Sequence, residues 1–579
     1  MIIGIDVGGT HTDGVLLVLD SDNPPVYKVH KTCKMETDHQ ELEGSILKVL
    51  DYLTEGVNRK DITRIVLSTT LSTNTIIEHN HDPVGLIIIP GPGLNPGLLL
   101  IGEENASLNG YINHRGQEEK PLVESEISKA LKRFQEKGIT NLAIVGKFSP
   151  RNPGHELKIK DYIMEQGYNF KHITLGHELS GTLNFPRRVA TAYYNAAISS
   201  VHHNFITSIK KALSLRNIKA EVVLLKCDGG TLTLAQAARR PVATVKSGPA
   251  ASLMGNLAFI RDKLTSIALD IGGTTTDIGL FIDGVPAFVP GGIKVGGLPT
   301  LVRGLFSRSI PCGGDSEVRV VKGQLTIGPR RRGIPASKGG PSPTPTDALV
   351  ALGLIEDSKH FNYELAVKSL SPLYDLVKNG LIKKDNNEKT EKPVFRAKKV
   401  ARLIIDRMSH IIEQEINNIL TTLENQPVYT IRELLENFSI NPRLITGMGG
   451  PARALIPRLA SKMGYDYIIT PHSGVANAIG AGAARPTVEV TVRADTATGQ
   501  LTVPETGLHK RINRDLRLNQ VEEVARKELE KLNPNPHPES PVEITQRESF
   551  NVIRGFRTLG RIIEVKAQVK PGLIARIRP

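Results

Sequence analysis

Residues 6–13 read Asp-Val-Gly-Gly-Thr-His-Thr-Asp, and residues 270–277 read Asp-Ile-Gly-Gly-Thr-Thr-Thr-Asp. Asp6, Gly8, Gly9, Thr10, Thr12 and Asp13 therefore recur as Asp270, Gly272, Gly273, Thr274, Thr276 and Asp277 at one constant offset. Adjacent glycines let backbone N–H groups approach a phosphate without interference from a Cβ. Threonine hydroxyls add donors. The carboxylate that opens the turn can hold Mg²⁺, an ion that takes one or two carboxylates together with phosphate oxygens. One copy is compatible with an ordinary hairpin turn. Two copies argue against that, because a turn does not need Thr, Thr and Asp at fixed offsets. His11, inside the first copy, either touches a phosphate or points outward.

A third glycine cluster occupies residues 445–452, Ile-Thr-Gly-Met-Gly-Gly-Pro-Ala. It reads as an apolar strand turning into a helix, where adenine or ribose can lie on bare backbone. Such turns are common alone and gain weight behind two phosphate-type hairpins. Asn74 and Asp228 each follow an expected strand, the place where ligands gather in α/β sheets. Each also has a structural reading, a helix cap for Asn74 and an Asx turn for Asp228. Cys33, Cys227 and Cys312 are far apart and form no CxxC. That spacing speaks against a zinc site or disulfide framework and suits a reducing cytoplasm. Cys312 reads as a small buried residue in a glycine turn. His79/His81 and His202/His203 read as surface or helix-end pairs, and the adjacent residues 202 and 203 cannot share one helix face.

The elements that must position these residues follow from the apolar pattern. Each Asp-to-Asp loop has an apolar run on either side and reads as strand, tight turn, strand. Strands at 65–68, 84–89, 141–145 and 221–225 alternate with helices at 73–78, 124–137 and 187–215, the last interrupted near His202. This alternation indicates an α/β fold. Residues 282–345, rich in Gly, Pro and Arg, read as hairpins and loops. Residues 346–383 read as helical, 395–424 as one long helix, 443–446 as a strand, and 474–482 as a helix of small residues. Residues 383–392 and 533–538 read as solvated loops. Strands at 487–493, 500–503, 541–552 and 559–569 with a helix at 519–532 suggest a small C-terminal α/β unit. The expected division is an N-terminal lobe at 1–250, with about 84–180 as an inserted subdomain, a second lobe at 251–485, and the C-terminal unit at 486–579.

Composition narrows the function classes. The chain has 579 residues, 40% of them hydrophobic, no Trp and 4% aromatics, so stacking on bases is a poor binding device here. The net charge of +14 comes from dispersed residues, with Arg330-Arg331-Arg332 as the compact cluster. Without a nucleic-acid motif, that charge fits solubility or an anionic substrate better than nucleic acid. No apolar stretch reaches the ~18 residues of a membrane span. The start, Met1 to Asp6, reads as a strand and not as a signal peptide. A cytoplasmic, oligomeric protein is the expectation.

Two hairpins followed by a strand–Gly-x-Gly-Gly–helix turn resemble the superfamily of actin, sugar kinases and heat-shock ATPases. Within it the chain resembles the hydantoinase A/oxoprolinase family. The residues that carry the likeness are 6–13, Ser68-Thr69-Thr70-Leu71-Ser72-Thr73-Asn74, Cys227-Asp228-Gly229-Gly230, Arg240-Pro241-Val242, Ser247-Gly248-Pro249-Ala250-Ala251, 270–277 and Pro345-Thr346-Asp347-Ala348. The resemblance implies two ribonuclease-H-like lobes around a nucleotide cleft, with 6–13 and 270–277 as phosphate loops and Gly447, Gly449 and Gly450 in the adenosine loop. Residues 247–251 and 474–482 would be the connecting helices. On this reading Asp6 and Asp270 hold Mg²⁺. Gly8, Gly9, Thr10, Thr12, Gly272, Gly273, Thr274 and Thr275 bind phosphates of ATP. Asp13 and Asp277 orient the attacking group, bind Mg²⁺ through water, or cap the turn by hydrogen bonds to backbone N–H, while Asn74 and Asp228 face the substrate.

In the family, ATP phosphorylates the amide oxygen of a cyclic substrate and the activated ring is hydrolysed, often with a second subunit of the hydantoinase B type. Two segments depart from the family pattern. Pro311-Cys312-Gly313-Gly314-Asp315-Ser316 keeps only part of a GAGGGS-type segment, and residues 333–340 lack the Cys and Tyr of a PGPxCYGxGG-type stretch. The alternatives to an ATP-dependent cyclic-amide hydrolase are an ATPase partner that activates or reactivates another enzyme, and a small-molecule kinase.

Overall fold

The apolar run Ile2–Val7 forms a strand in which every residue is buried. Burial on both faces is what an uninterrupted apolar strand requires, and it places Ile2–Val7 inside a sheet. In the computed structural model, which describes residues 1–9, 11–22, 25–38, 42–260, 264–355, 360–377, 392–424, 440–533 and 542–578, the chain forms two units. One comprises Met1–Met254, Phe288–Leu305 and Asn477–Ile577. The other comprises Gly255–Ala287, Phe306–Ala476 and Arg578–Pro579. Both are α/β. Thr10 and the loop positions expected at 383–391 and 534–538 lie outside the described residues.

In the first unit, Ile2–Val7 pairs antiparallel with His11–Asp22 and parallel with Arg64–Thr69. Arg64–Thr69 in turn runs parallel to Glu221–Leu225. Pro25–Glu36 adds a third antiparallel strand beside His11–Asp22. A separate four-stranded parallel sheet has the order His172–Leu175, Asn141–Gly146, Val84–Ile89, Glu104–Ser107. Its residues alternate between two cores, as a period of two demands. Leu86, Ile88, Ala143 and Val145 pack on the helix Phe185–Leu215. Ile87, Ile89, Leu142 and Ile144 pack with Ile127, Leu131 and Phe134 of Glu124–Glu136 and Ile159 and Ile163 of Gly154–Glu165. Residues 477–577 carry a five-stranded antiparallel sheet under the helix Leu518–Leu532, with its own apolar core.

In the second unit, Ser266–Ile271 pairs antiparallel with Thr276–Ile282 and parallel with Leu444–Met448. Ser307–Ile310 pairs antiparallel with Thr276–Ile282. Each hairpin thus has a parallel strand beside its first arm and an antiparallel strand beside its second. The sequence repeat is a repeat of sheet topology. The long helix Pro393–Glu424 buries Val400, Ile404, Ile405, Met408, Ile412, Ile416 and Ile419 against this sheet's core, an apolar stripe at helical spacing.

Three expectations need correction. Phe185–Leu215 is one continuous 31-residue helix with no break at His202. It contains no internal Gly, and its Pro186 sits in the first turn, where no hydrogen bond is lost. His202 is a core residue, not a surface one: it is 1% exposed, its ring faces the Thr244 hydroxyl at 3.3 Å, and burial holds its pKa down to about 4. The strand expected at 443–446 runs on through Met448, so the glycine turn begins later. Among the described residues, no helix is long and apolar enough to cross a membrane.

Candidate functional site

In the first hairpin Asp6 faces Asp13 and Val7 faces Thr12 across the strands. The Gly8 N–H donates to the His11 carbonyl at 3.0 Å and closes the turn. A Cβ on Gly9 would meet nothing within 4 Å, so the tip is open there. Both carboxylates are buried. Lys34 is the cross-strand neighbour of Asp13 and donates to its Oδ1 at 2.7 Å. Thr12 is fully buried, with its hydroxyl 3.0 Å from that of Thr37. Thr37 in turn donates to the Gly8 carbonyl at 3.0 Å. Thr12 thus braces the tip from behind.

The Thr70 N–H and hydroxyl both reach the Val7 carbonyl at 3.3 Å. This ties the start of the helix Leu71–Ile77 to the end of the first strand. Asn74 lies one helical turn on, half-buried, with its N–H donating to the Thr70 carbonyl at 2.9 Å and its side-chain amide 3.5 Å from the Thr70 hydroxyl. It is a residue of the helix interior and not a cap.

The second hairpin repeats this geometry. Asp270 faces Asp277, Ile271 faces Thr276, and the Gly272 N–H donates to the Thr275 carbonyl at 2.9 Å. Thr274 is exposed at the tip, and Gly273 and Thr275 are half-buried. Thr276, like Thr12, is fully buried, donating to the Cys312 carbonyl at 2.6 Å. The cross-strand neighbour of Asp277 is Ser309. Burial and the adjacent Asp270 push the Asp277 carboxyl up to about 6, against the opposing hydrogen bond from Ser309.

The glycine turn comes to the same place. Leu444–Met448 lies beside Ser266–Ile271 with Met448 opposite Asp270. Gly449, at φ +96°, lies so close to the second hairpin that a Cβ would fall 2.2 Å from the Ile271 carbonyl and 3.1 Å from Asp270 Oδ1. Only glycine serves there. Gly450 faces open space. Gly447 is a buried strand residue, where a Cβ would collide with Ile456 of the helix Ala452–Met463.

Several residues at this hairpin were named in the sequence only as members of a motif or cluster and not as site residues. Gly313 and Gly314 run directly beneath the tip: the Gly314 N–H donates to the Gly272 carbonyl at 2.9 Å, and that of Asp315 to the Gly273 carbonyl at 2.6 Å. Burial raises the Asp315 carboxyl, while Arg331 and Thr346 oppose the rise. Asp347 is fully buried and accepts from Ala336 N, Ser337 N, Thr344 N and Thr344 Oγ1 at 2.7 to 3.1 Å. It fixes the loop before the helix Pro345–Ala351. The available signals were the Arg330–Arg332 cluster, the departures at 311–316, and the 345–348 motif.

Asp228 is 3% exposed. Its Oδ1 accepts from Gly230 N at 3.0 Å, and both oxygens lie within 3.0 Å of the Thr487 hydroxyl. Lys226 donates to Oδ2 at 3.0 Å. Burial works against ionisation, yet the charges of Lys226 and Arg303 and the hydrogen bonds from Lys226 and Gly230 hold the carboxyl below its ordinary range. Asp228 sits in an Asx turn. The thiols of Cys227 and Cys312 are both buried and pushed up to about 12.

The donor set suits a nucleotide with a divalent cation. Two facing carboxylates, one of them resisting ionisation because of burial and of the other's charge, form a place where a cation is favoured. A pair also matches the needs of Mg²⁺, which completes its shell with phosphate and water. Among the described residues no cluster of three His, Cys, Asp or Glu side chains is arranged to hold a metal by itself.

A duplicated sheet with a hairpin loop in each copy and a strand–glycine–helix turn after the second defines the fold of the actin, sugar-kinase and heat-shock ATPase superfamily. Comparison narrows this further. The hydantoinase/oxoprolinase family model matches residues 188–490, and the model of that family's N-terminal region matches residues 2–167. The chain belongs to the hydantoinase/oxoprolinase family. It is 24% identical over 507 residues to the caprolactamase subunit alpha of Pseudomonas jessenii, covering 81% of this chain and 68% of that one. It is 24% identical over 500 residues to the 5-oxoprolinase of Saccharomyces cerevisiae, covering 71% of this chain and 37% of that one. The crystal structure of the ATP-dependent caprolactamase from Pseudomonas jessenii shares the fold, with a TM-score of 0.68 at 19% identity over 100% of this chain and 88% of that one. The chain spans between 31% and 68% of the length of curated relatives that it matches.

Proposed function

We propose that this chain is an ATP-dependent hydrolase subunit of the hydantoinase/oxoprolinase type, using ATP to activate the carbonyl of a small cyclic amide or related compound. The observation that carries the reading is the packing of Gly449 against Asp270 and Ile271. It joins a phosphate-type loop, a carboxylate pair and a bare-backbone turn in one place. In this reading Asp6 and Asp270 hold Mg²⁺, which supplies charge neutralisation for the phosphates. Backbone amides at Gly8–Gly9 and Gly272–Gly273, with Thr10, Thr274 and Thr275, hold phosphoryl oxygens, while Thr12 supports its loop from behind. The Gly449–Gly450 turn takes the nucleoside, with Gly447 supporting it.

Phosphoryl transfer asks a protein mainly for positioning and charge neutralisation. Asp277, which burial and the neighbouring Asp270 raise to about 6 in the metal-free chain, is the carboxyl proposed to orient the attacking group. Asp13 is paired with Lys34 across the strands. Asn74 orients groups beside the first loop, and Asp228 positions its turn. Residues 1–250, 251–485 and 486–579 are the proposed folding domains.

A second reading is favoured by one observation, that the caprolactamase relative is named a subunit. On it the chain is an ATPase subunit that activates or reactivates another enzyme instead of acting on the cyclic amide itself. An ATPase assay with Mg²⁺ across lactams, hydantoins and ketones, with and without the product of a neighbouring gene, separates the two. Stimulation by a lactam or hydantoin alone supports the first. Stimulation by the protein alone supports the second. A stable phosphorylated product would instead mark a kinase, and absence of Mg²⁺-dependent turnover under every condition overturns all three.

A further inference from the structure

The three arginines of the basic cluster are not equivalent. Arg332 pairs with the buried Glu317, Nε to Oε1 at 2.9 Å, and the Arg330 carbonyl accepts from Glu317 N at 2.8 Å. Arg331 instead reaches the tip of the second hairpin. Its Nη1 lies 3.4 Å from the Thr274 hydroxyl, its Nη2 donates to Asp315 Oδ2 at 3.1 Å, and its Nε to the Gly333 carbonyl at 3.3 Å. A guanidinium has five N–H groups, and these contacts engage three of them. The side chain is 29% exposed, and these contacts leave two of its N–H groups uncommitted.

Asp315 is itself held firmly. Its N–H donates to the Gly273 carbonyl, its Oδ1 accepts from Thr346 at 3.3 Å, and a Cβ on Gly273 would fall 2.7 Å from its Oδ2. The carboxylate is wedged under the loop and fixes the guanidinium beside Thr274. Asp270, Asp277 and Asp315 place three carboxylates at this hairpin, so an anion bound at the tip needs a cation at its side. Arginine suits that role, because its planar fork matches phosphate oxygens and its charge does not titrate.

We propose that Arg331, oriented by Asp315, is an anion-binding residue of the second loop that takes the terminal phosphoryl group of a nucleoside triphosphate. The proposal rests on the reading of residues 270–277 as a phosphate loop.

The test is equilibrium binding of a non-hydrolysable ATP analogue and of ADP, each with Mg²⁺, to the full chain and to its R331Q, R331K, D315N and R332Q variants. R331Q is expected to weaken the triphosphate roughly ten- to hundredfold and ADP less than about threefold, from the loss of charge-assisted hydrogen bonds to one phosphoryl group. R331K keeps the charge without the fork and should fall between, and D315N should weaken the triphosphate in the same direction. R332Q should bind as the unmodified chain does. Equal weakening of both nucleotides by R331Q, or of neither, overturns the assignment and leaves the phosphate loop standing. If the unmodified chain binds neither nucleotide, the phosphate-loop reading falls and the Arg331 assignment falls with it.

Discussion

Lys34 stands directly across from Asp13 on the neighbouring strand, with its Nζ 2.7 Å from Asp13 Oδ1, whereas the residue in that place beside Asp277 is Ser309. Two copies of one sequence motif therefore have different electrostatics, set by a third strand that the motif does not include. The ammonium compensates Asp13. A hydroxyl compensates Asp277 far less, and burial beside Asp270 pushes its carboxyl up to about 6.

This difference predicts a pH dependence in Mg²⁺-free buffer. A carboxyl whose pKa is raised on folding binds more protons in the folded state than in the unfolded one. Its contribution to stability is full below the unfolded value of about 4 and is lost as pH rises through about 6. The Asp277→Asn variant lacks this loss. It should be more stable than the unmodified chain by about 1–3 kcal/mol at pH 7.5 and not at pH 4. Urea unfolding at the two pH values checks this, and an equal difference at both would show that Asp277 is not the group responsible. The same variant should lose most ATP turnover.

Gly449→Ala tests the joint between the glycine turn and the second hairpin. The added methyl would meet the Ile271 carbonyl at 2.2 Å, in a backbone conformation of φ +96° that disfavours alanine. The turn must move, and nucleotide affinity should drop at least roughly tenfold, since close backbone approach is the purpose of such glycines. Gly450→Ala, where a methyl meets nothing within 4 Å, should leave the melting temperature unchanged. Calorimetric titration with an ATP analogue and thermal melts of both variants decide the matter.

The legible part of this protein was what lies close together in sequence. Alternating and continuous apolar runs located the strands around both loops, and the repeat of Asp, Gly, Thr and Asp located the hairpins, because these follow from local geometry. The small residues at 474–482 likewise announced close packing, and a Cβ on Gly4 would fall 2.0 Å from the Ala478 carbonyl. What stayed hidden depends on contacts between distant segments. Lys34 beside Asp13, Arg331 beside Thr274 and Asp315 under Gly273 come from strands and loops whose register no local pattern encodes. The direction of a side chain was also hidden: Thr12 and Thr276 have the right type for phosphate binding, yet both turn inward.

Asp347 predicts a stability effect without direct contact with ligand. Its carboxylate accepts four hydrogen bonds from Ala336, Ser337 and Thr344 in a fully buried position. Asp347→Ala leaves these donors without an acceptor and should cost about 3 kcal/mol. Asp347→Asn keeps one acceptor oxygen and should cost less. Denaturant midpoints for the two variants give the order, and equal midpoints for alanine and the unmodified chain would remove Asp347 from the framework of the site.

Asp228 and Lys226 give the sharpest separation of structure from catalysis. Lys226 is held by Asp228 and by the Thr487 carbonyl at 2.9 Å, and burial lowers its pKa despite the carboxylate. Asp228→Ala strands the ammonium in a buried position and opens the Asx turn, so a loss of about 3–5 kcal/mol is expected. Adding Lys226→Met removes the stranded charge, and the double variant should recover about 1–3 kcal/mol of that loss. If Asp228 acts only by positioning its turn, ATP turnover in the double variant should recover along with stability. If stability returns and turnover does not, the carboxylate takes part in the chemistry, and the sequence-based placement of Asp228 on the substrate side is the correct one.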